Sequence, residues 1–203
     1  MTNELIVKVG GSLYDLPDLG PRLRAWLALQ ATRRIVLFPG GGAAADWIRH
    51  VDSLAQLGEE RSHWLALRAL TLTAHVLAAR LPGATVIEDL NEREAAWRRG
   101  LVPVLDPHAF ARADEHRADH LPHSWDVTSD SLAARAAIVA VCPELILLKS
   151  RDLPTDDDWT AAARLGLVDA AFPLASASLR VLVVNFRQWR PASSAIAPPA
   201  NAP

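Results

Sequence analysis

The sequence predicts an α/β protein, a three-layer αβα sandwich built on a mainly parallel central sheet. Three observations carry this. Short β-branched runs recur along the chain, helical stretches separate them, and several runs end in a glycine turn or a lysine. Strands that alternate with helices need crossover connections, and these cover both faces of a parallel sheet. With 203 residues, half of them apolar, the chain is long enough to bury a proper core as one domain.

Taken in order, residues 5–9 form a buried strand stopped by Gly10-Gly11-Ser12. Helical spacing over 19–29 precedes a second strand at 35–38, which Pro39-Gly40-Gly41-Gly42 ends. A helix opens there with Ala44, Trp47, Ile48 and Val51 on one face. A long amphipathic helix spans 60–79 until Pro82-Gly83. Strands at 84–87 and 101–105 flank a helix around 92–99. Residues 106–126 are polar, histidine-rich and loop-like. An alanine-rich helix at 129–141 leads to a strand at 145–149. Thr155 caps a short helix with Asp156, Asp157 and Asp158 in its first turn, favourable for the helix dipole. A last strand covers 181–186. The expected organisation is one domain over 1–190, with an N-terminal half to about 127 and a C-terminal half over 128–190. The Pro/Ala/Ser-rich tail, 191–203, reads as disordered.

Bulk composition removes several function classes. A net charge of -2 argues against a nucleic-acid binder, which presents a basic face. One cysteine, Cys142, flanked by apolar residues, reads as a buried structural thiol. Glu4 and Lys8 interrupt the first apolar run, and no stretch approaches the ~20 apolar residues of a membrane span. A soluble cytoplasmic protein with no membrane partner is expected.

Arginine supplies nearly all the positive charge, and the only lysines are Lys8 and Lys149. An ammonium is a compact charge that can follow a moving phosphoryl group, whereas guanidinium is a rigid fork. Ligands of parallel sheets sit beyond the C-terminal strand ends, where Lys8, Gly10–Ser12, Gly40–Gly42 and Lys149 all fall, so one crevice can hold them. Gly10, Gly11 and Ser12 offer unobstructed backbone N–H groups that cradle phosphate oxygens. Gly40–Gly42 before a helix is a second such signature. It also satisfies the loose dinucleotide pattern G-x-G-x-x-A, with Glu59 or Glu60 about twenty residues on, which keeps a nicotinamide oxidoreductase as a rival. Those glutamates open a helix, however, instead of ending a strand. The P-loop pattern G-x-x-x-x-G-K-[ST] is absent from the sequence.

Lys8-Val9-Gly10-Gly11-Ser12-Leu13, Pro39-Gly40-Gly41-Gly42 and Thr128-Ser129-Asp130 together resemble the amino acid kinase superfamily in order and spacing, up to about Phe186. Within it, Asp46-Trp47-Ile48-Arg49 with Asp52, Ser62–Ala66 and Leu121–Ser131 resemble one archaeal and bacterial branch. That branch contains the [5-(aminomethyl)furan-3-yl]methyl phosphate kinase of methanofuran biosynthesis, with bacterial relatives in one-carbon metabolism. The resemblance implies the amino acid kinase fold, ATP with Mg²⁺, and a small phosphorylated substrate. It implies acceptor binding by the N-terminal half and nucleotide binding by the C-terminal half. Uridylate and isopentenyl phosphate are alternative acceptors.

Carried over residue by residue, Gly10, Gly11 and Ser12 hold the β- and γ-phosphates and Lys8 neutralises the transferred group. Gly40, Gly41 and Gly42 approach the acceptor. Asp130, beside Ser129, orders Lys8 and the glycine loop or helps hold Mg²⁺, which otherwise reaches the site on the ATP phosphates. Lys149 stands in Leu148-Lys149-Ser150-Arg151, where relatives have an aspartate-glycine turn near the nucleotide. The later Gly-Gly-Met segment with a second lysine is missing. Lys149 or Arg151 supplies that second charge, or the chain binds nucleotide without catalysis. Arg49 is placed to meet an acceptor phosphate, and His123 and Trp125 to touch substrate. Trp47 and Trp64 read as core or interface. His108, His116, His120 and His123, with Asp106, Asp114, Glu115 and Asp119, lack the spacing of a known zinc pattern and read as a solvated flap. A homo-oligomer is expected, with the 60–79 helix, carrying Trp64, Leu67, Leu70 and Leu72, as one possible pairing face.

Overall fold

The computed structural model describes residues 3–152 and 158–191. Thr155, Asp156, Asp157 and the tail from 192 lie outside the described residues. Six strands, β1 (Glu4–Val9), β2 (Arg34–Pro39), β3 (Ala84–Ile87), β4 (Val102–Leu105), β5 (Glu144–Lys149) and β6 (Arg180–Asn185), form one sheet in the order β3-β4-β2-β1-β5-β6. Every pairing in it is parallel. The helices are α1 (Leu19–Ala28), α2 (Gly42–Ala55), α3 (Glu59–Arg80), α4 (Arg93–Arg98), α5 (Pro107–Asp114), α6 (Ser129–Val139), α7 (Trp159–Arg164) and α8 (Phe172–Ala175). No described helix is long and apolar enough to cross a membrane.

The central strands are apolar on both sides because both sides are covered. Leu5, Val7, Val9, Ile35, Leu37, Ile146 and Leu148 pack with α1, the C-terminal part of α3 and Phe186. Ile6, Val36, Phe38, Leu145 and Leu147 face the other way, against α5, α6, α8 and the middle of α3. Strand side chains alternate with period two, so Lys8 follows Ile6, and Lys149 follows Leu147, onto the α6 face. β1 and β5 are neighbours with Lys8 opposite Leu147. Alternation and register therefore bring both ammonium groups to one end of the sheet, beneath the start of α6. Ala133, Ala134, Ala136 and Ala137 are fully buried, and their small size lets α6 lie close to the strands.

Several expectations need correction. The 106–126 stretch is helical over its first part: α5 is capped by Asp106, which accepts from the His108 and Ala109 amides at 2.8 and 3.1 Å. Pro107 at the first helical position favours the same start. Trp47 is 63% exposed, because α2 packs along α3 through a narrow stripe that buries only Ile48. Leu67 and Leu70 are core, Trp64 packs against it, and Leu72 is exposed. Asp158 caps α7 by accepting from the Ala161 amide. Cys142 is buried, and burial pushes its thiol up to about 11, which suits a structural role.

Asp106 is itself buried and also accepts from the Thr71 hydroxyl at 2.8 Å, tying α5 to α3. Replacing it by Ala is expected to lower stability by about 1–2 kcal/mol. An unchanged urea midpoint would show that α5 does not depend on this cap.

Candidate active site

The cleft at the C-terminal edge of the sheet is organised by one buried carboxylate. Asp130 lies in the first turn of α6, where a negative charge suits the helix dipole. Its Oδ1 is 2.7 Å from Lys8 Nζ and its Oδ2 2.7 Å from Lys149 Nζ. Lys149 Nζ also donates to the Leu167 carbonyl at 2.8 Å. Burial alone would raise the Asp130 carboxyl, but Lys8 and then Lys149 outweigh it and hold the group below its ordinary value. Lys8, Lys149, Arg49 and Arg151 against Asp130 and Asp169 leave this part of the cleft with a net positive charge, suited to a polyanion.

A second carboxylate frames the same helix end. Asp169 accepts from the Thr128 amide and hydroxyl at 3.0 and 2.8 Å, from the Ser131 amide at 3.0 Å, and from the Ser131 hydroxyl. Among the described residues lining this part of the cleft, Asp169 is hydrogen-bonded through both oxygens and each Asp130 oxygen faces an ammonium group, although the Oδ1–Lys8 contact is an ion pair without hydrogen-bond geometry. That favours the ordering role for Asp130 over metal ligation. A Mg²⁺ arriving with a nucleotide fits by keeping phosphate and water ligands, its ordinary preference.

The glycine turns meet across the cleft floor. A Cβ on Gly11 would stand 2.1 Å from the Gly42 amide nitrogen, and Gly42 itself has φ +51°. Only glycine permits this approach. The Gly10 amide donates to the Leu148 carbonyl at 2.8 Å, so, contrary to the sequence expectation, it is not open to a phosphate and the cradle rests on Gly11 and Ser12. The Ser12 hydroxyl donates to the Ser150 hydroxyl at 2.8 Å, joining the first turn to the end of β5.

Two compartments open on this floor. One, of about 430 Å³, is lined by Lys8, Gly10–Ser12, Asp130, Lys149, Ser150 and Arg151, with the 166–170 segment as its far wall. The other, of about 250 Å³, is lined by Gly41, Gly42, Ala66, Leu67, Leu70, Leu132 and His63. Gly11, Ser12, Arg49, Trp125, Thr128 and Ser129 border both. The Arg49 guanidinium lies 4.7 Å from the Trp125 ring centre. Trp125 Nε1 donates to Asp52 at 2.8 Å, which fixes the indole on α2.

The structure thus gathers the predicted residues into one cleft, with two exceptions. Gly40 lies beneath it: its Cβ would meet the Gly11 amide nitrogen at 2.4 Å, so it is the support of the glycine pair. His123 lines neither compartment. It is held between Glu60 and Glu115, and His63, stacked on it at 4.9 Å, is the histidine that reaches the smaller compartment. Burial, then the His123 charge, push His63 down to about 4, so it is a neutral imidazole at pH 7. Sequence reading missed His63 and Asp169 as site residues. Gly166, with φ +65° just past α7, was the available signal for a turn into the cleft.

This is the amino acid kinase fold. The chain is 31% identical over 129 residues to the [5-(aminomethyl)furan-3-yl]methyl phosphate kinase of Methanocaldococcus jannaschii; the match spans 63% of this chain and 57% of that protein. Uridylate kinase from Archaeoglobus fulgidus superposes with TM-score 0.61 at 17% identity, covering 89% of both chains. UMP kinase from Bacillus anthracis superposes with TM-score 0.62 at 14% identity, covering 92% of this chain and 88% of the other. At these identities the two structures establish the fold. No protein-family model matches the chain.

Burial, reinforced by the Lys8 charge, brings Lys149 down from 10.5 to about 8. Between about 8 and 10.5 the unfolded chain then binds more protons at this group, so its contribution to stability rises with pH. Anion binding runs the other way, because the free site loses a positive charge above pH 8. Pyrophosphate affinity is expected to fall as pH rises through that value, and Lys149→Arg to flatten the profile. A wild-type affinity that stays level between about pH 7 and 9.5 would remove Lys149 as a titrating contact.

Proposed function

We propose that this chain is an ATP-dependent small-molecule kinase whose acceptor is a phosphate monoester and whose product is a diphosphate. One observation carries the reading: Lys8, Asp130 and Lys149 form a buried ion triad in the floor of the larger compartment, beside the Gly11–Ser12 turn that borders both compartments. Phosphoryl transfer through a loose transition state needs chiefly positioning and charge neutralisation, and the triad supplies both. In this reading the larger compartment takes the ATP phosphates, with the Gly11 and Ser12 amides and Lys8 on the transferred group, the Gly10 amide being taken by the Leu148 carbonyl. Mg²⁺ would neutralise charge on those phosphates when bound. The smaller compartment takes the acceptor, so residues up to about 127 supply most of the acceptor wall and residues 128–190 most of the nucleotide wall.

An oxygen of the acceptor phosphate attacks the γ-phosphorus, the bond from that phosphorus to the bridging oxygen breaks, and ADP leaves with the electron pair. That acceptor oxygen is already ionised at neutral pH, so no side chain has to remove a proton. Asp130, occupied by two ammonium groups, keeps Lys8 and Lys149 aimed and takes no proton itself. The Arg49–Trp125 stack borders both compartments and offers the acceptor phosphate a guanidinium held in place.

The similarity to the methanofuran-pathway kinase supports an aminomethylfuran methyl phosphate as acceptor. So does the size of the smaller compartment, about 250 Å³ and partly apolar, which suits a single small ring. Uridylate is the second acceptor to try, on the strength of the uridylate kinase fold.

Purified protein with Mg·ATP is expected to release ADP only when such a monophosphate is added, and Lys8→Met to cut turnover by about 10²-fold or more. Nucleotide binding without acceptor-dependent ADP release across the monophosphate panel would instead identify a binding protein. Arg49→Ala is expected to raise the acceptor KM by roughly tenfold with little change in the KM for ATP. A KM change confined to ATP would move Arg49 to the other compartment.

A further inference from the structure

Beyond α5 the chain gathers donor atoms that backbone geometry alone does not require. One Glu115 carboxylate oxygen, one His120 ring nitrogen and one His123 ring nitrogen all lie within 4.8 Å of one another. His123 Nε2 is 2.7 Å from Glu115 Oε1; His120 Nδ1 is 3.8 Å from the same oxygen and donates to the Leu121 carbonyl at 3.0 Å, a hydrogen bond that must yield if Nδ1 is to take an ion. The opposite edge of the His123 ring is occupied too, with Nδ1 2.6 Å from Glu60 Oε2 on α3. Stacking on His63 and an edge contact with Trp64, each at 4.9 Å, fix the ring plane. A neutral imidazole has one donor and one acceptor nitrogen. Set between two carboxylates, it needs a cation on one side: a second proton or a metal ion.

We propose that Glu115, His120 and His123 bind one divalent transition-metal ion of the zinc class, with Glu60 as the outer carboxylate that orients His123. The ion takes the place of the proton between His123 Nε2 and Glu115, and His120 completes a three-ligand set open to water. Two imidazoles and one carboxylate suit zinc, whereas Mg²⁺ and Ca²⁺ prefer oxygen throughout. A carboxylate behind a ligating histidine fixes its tautomer and raises its basicity. All three ligands belong to the 115–123 segment, and Glu60 ties that segment to α3. His63, against which His123 stacks, lines the smaller compartment. The ion therefore stiffens the segment behind the acceptor wall, and it does so whether or not the cleft transfers phosphate.

Calorimetric titration of metal-free full-length protein with Zn²⁺ tests this, together with visible spectra of the Co²⁺-loaded form. One equivalent of Zn²⁺ is expected, and Co²⁺ gives the intense d–d absorption of a low-coordinate nitrogen/oxygen site. His123→Gln and, separately, Glu115→Gln weaken Zn²⁺ binding about tenfold or more. His116→Ala, in the same segment but outside the cluster, leaves it unchanged. Metal-free melting curves establish that each variant folds, and Zn²⁺ raises the melting midpoint of the wild type and His116→Ala well above any shift in His123→Gln. The proposal is overturned by no uptake of Zn²⁺, by the weak spectrum of six-coordinate Co²⁺, or by affinity that survives in both His123→Gln and Glu115→Gln.

Discussion

Two ammonium groups on adjacent parallel strands would repel one another in a buried crevice, and both would be costly to desolvate. Asp130, with an oxygen 2.7 Å from each, is the condition under which they coexist. The rest of the cleft follows from supplying that carboxylate from the right place. It must come from above the strand ends, so α6 must begin there. Asp169 satisfies the Thr128 and Ser131 amides at that helix start, and the 166–170 segment carries Asp169 across. The Leu167 carbonyl takes a further hydrogen of Lys149. The alanine face of α6 keeps the whole arrangement close to the sheet.

A second buried pairing holds the other end of α6. Arg135, 5% exposed, donates to both oxygens of Asp114 at 2.7 and 3.0 Å and to both of Asp119 at 2.7 Å. Paired and bidentate, the guanidinium is retained in the interior without an orphaned charge. It anchors the segment after α5 to the helix that carries Asp130. The acceptor wall and the ion triad are thereby fixed to one rigid element instead of to separate loops.

Much of this was legible in the sequence because it rests on local rules. Period-two alternation places Lys8 and Lys149, glycine pairs mark turns that other residues cannot make, and apolar runs mark doubly covered strands. The polar 106–126 stretch misled, since α5 owes its existence to a cap and to anchoring on α3 and α6, and its composition resembles that of a loop. His123 was placed in the cleft by its nearness in sequence to Asp130. His63, sixty residues earlier, reaches the compartment because α3 runs beneath it. The role of Asp169 was equally hidden: a carboxylate that caps a helix from 38 residues downstream leaves no spacing to read.

The contact between Gly11 and Gly42 has a further implication. Where the two glycine turns meet, backbone lies directly against backbone, with no room for a Cβ between them. With no side chain on either of these two glycines, their contact cannot encode a preference for one ligand over another. It is indifferent hardware, common to any pair of anions that sit end to end upon it. Discrimination is left to what stands around the floor: Arg49 and Trp125, His63, and the apolar side chains of α3 and α6. Such a design separates what can vary from what cannot. New specificities can be reached by repainting the walls, whereas an added methyl group on either glycine would damage every one of them at once.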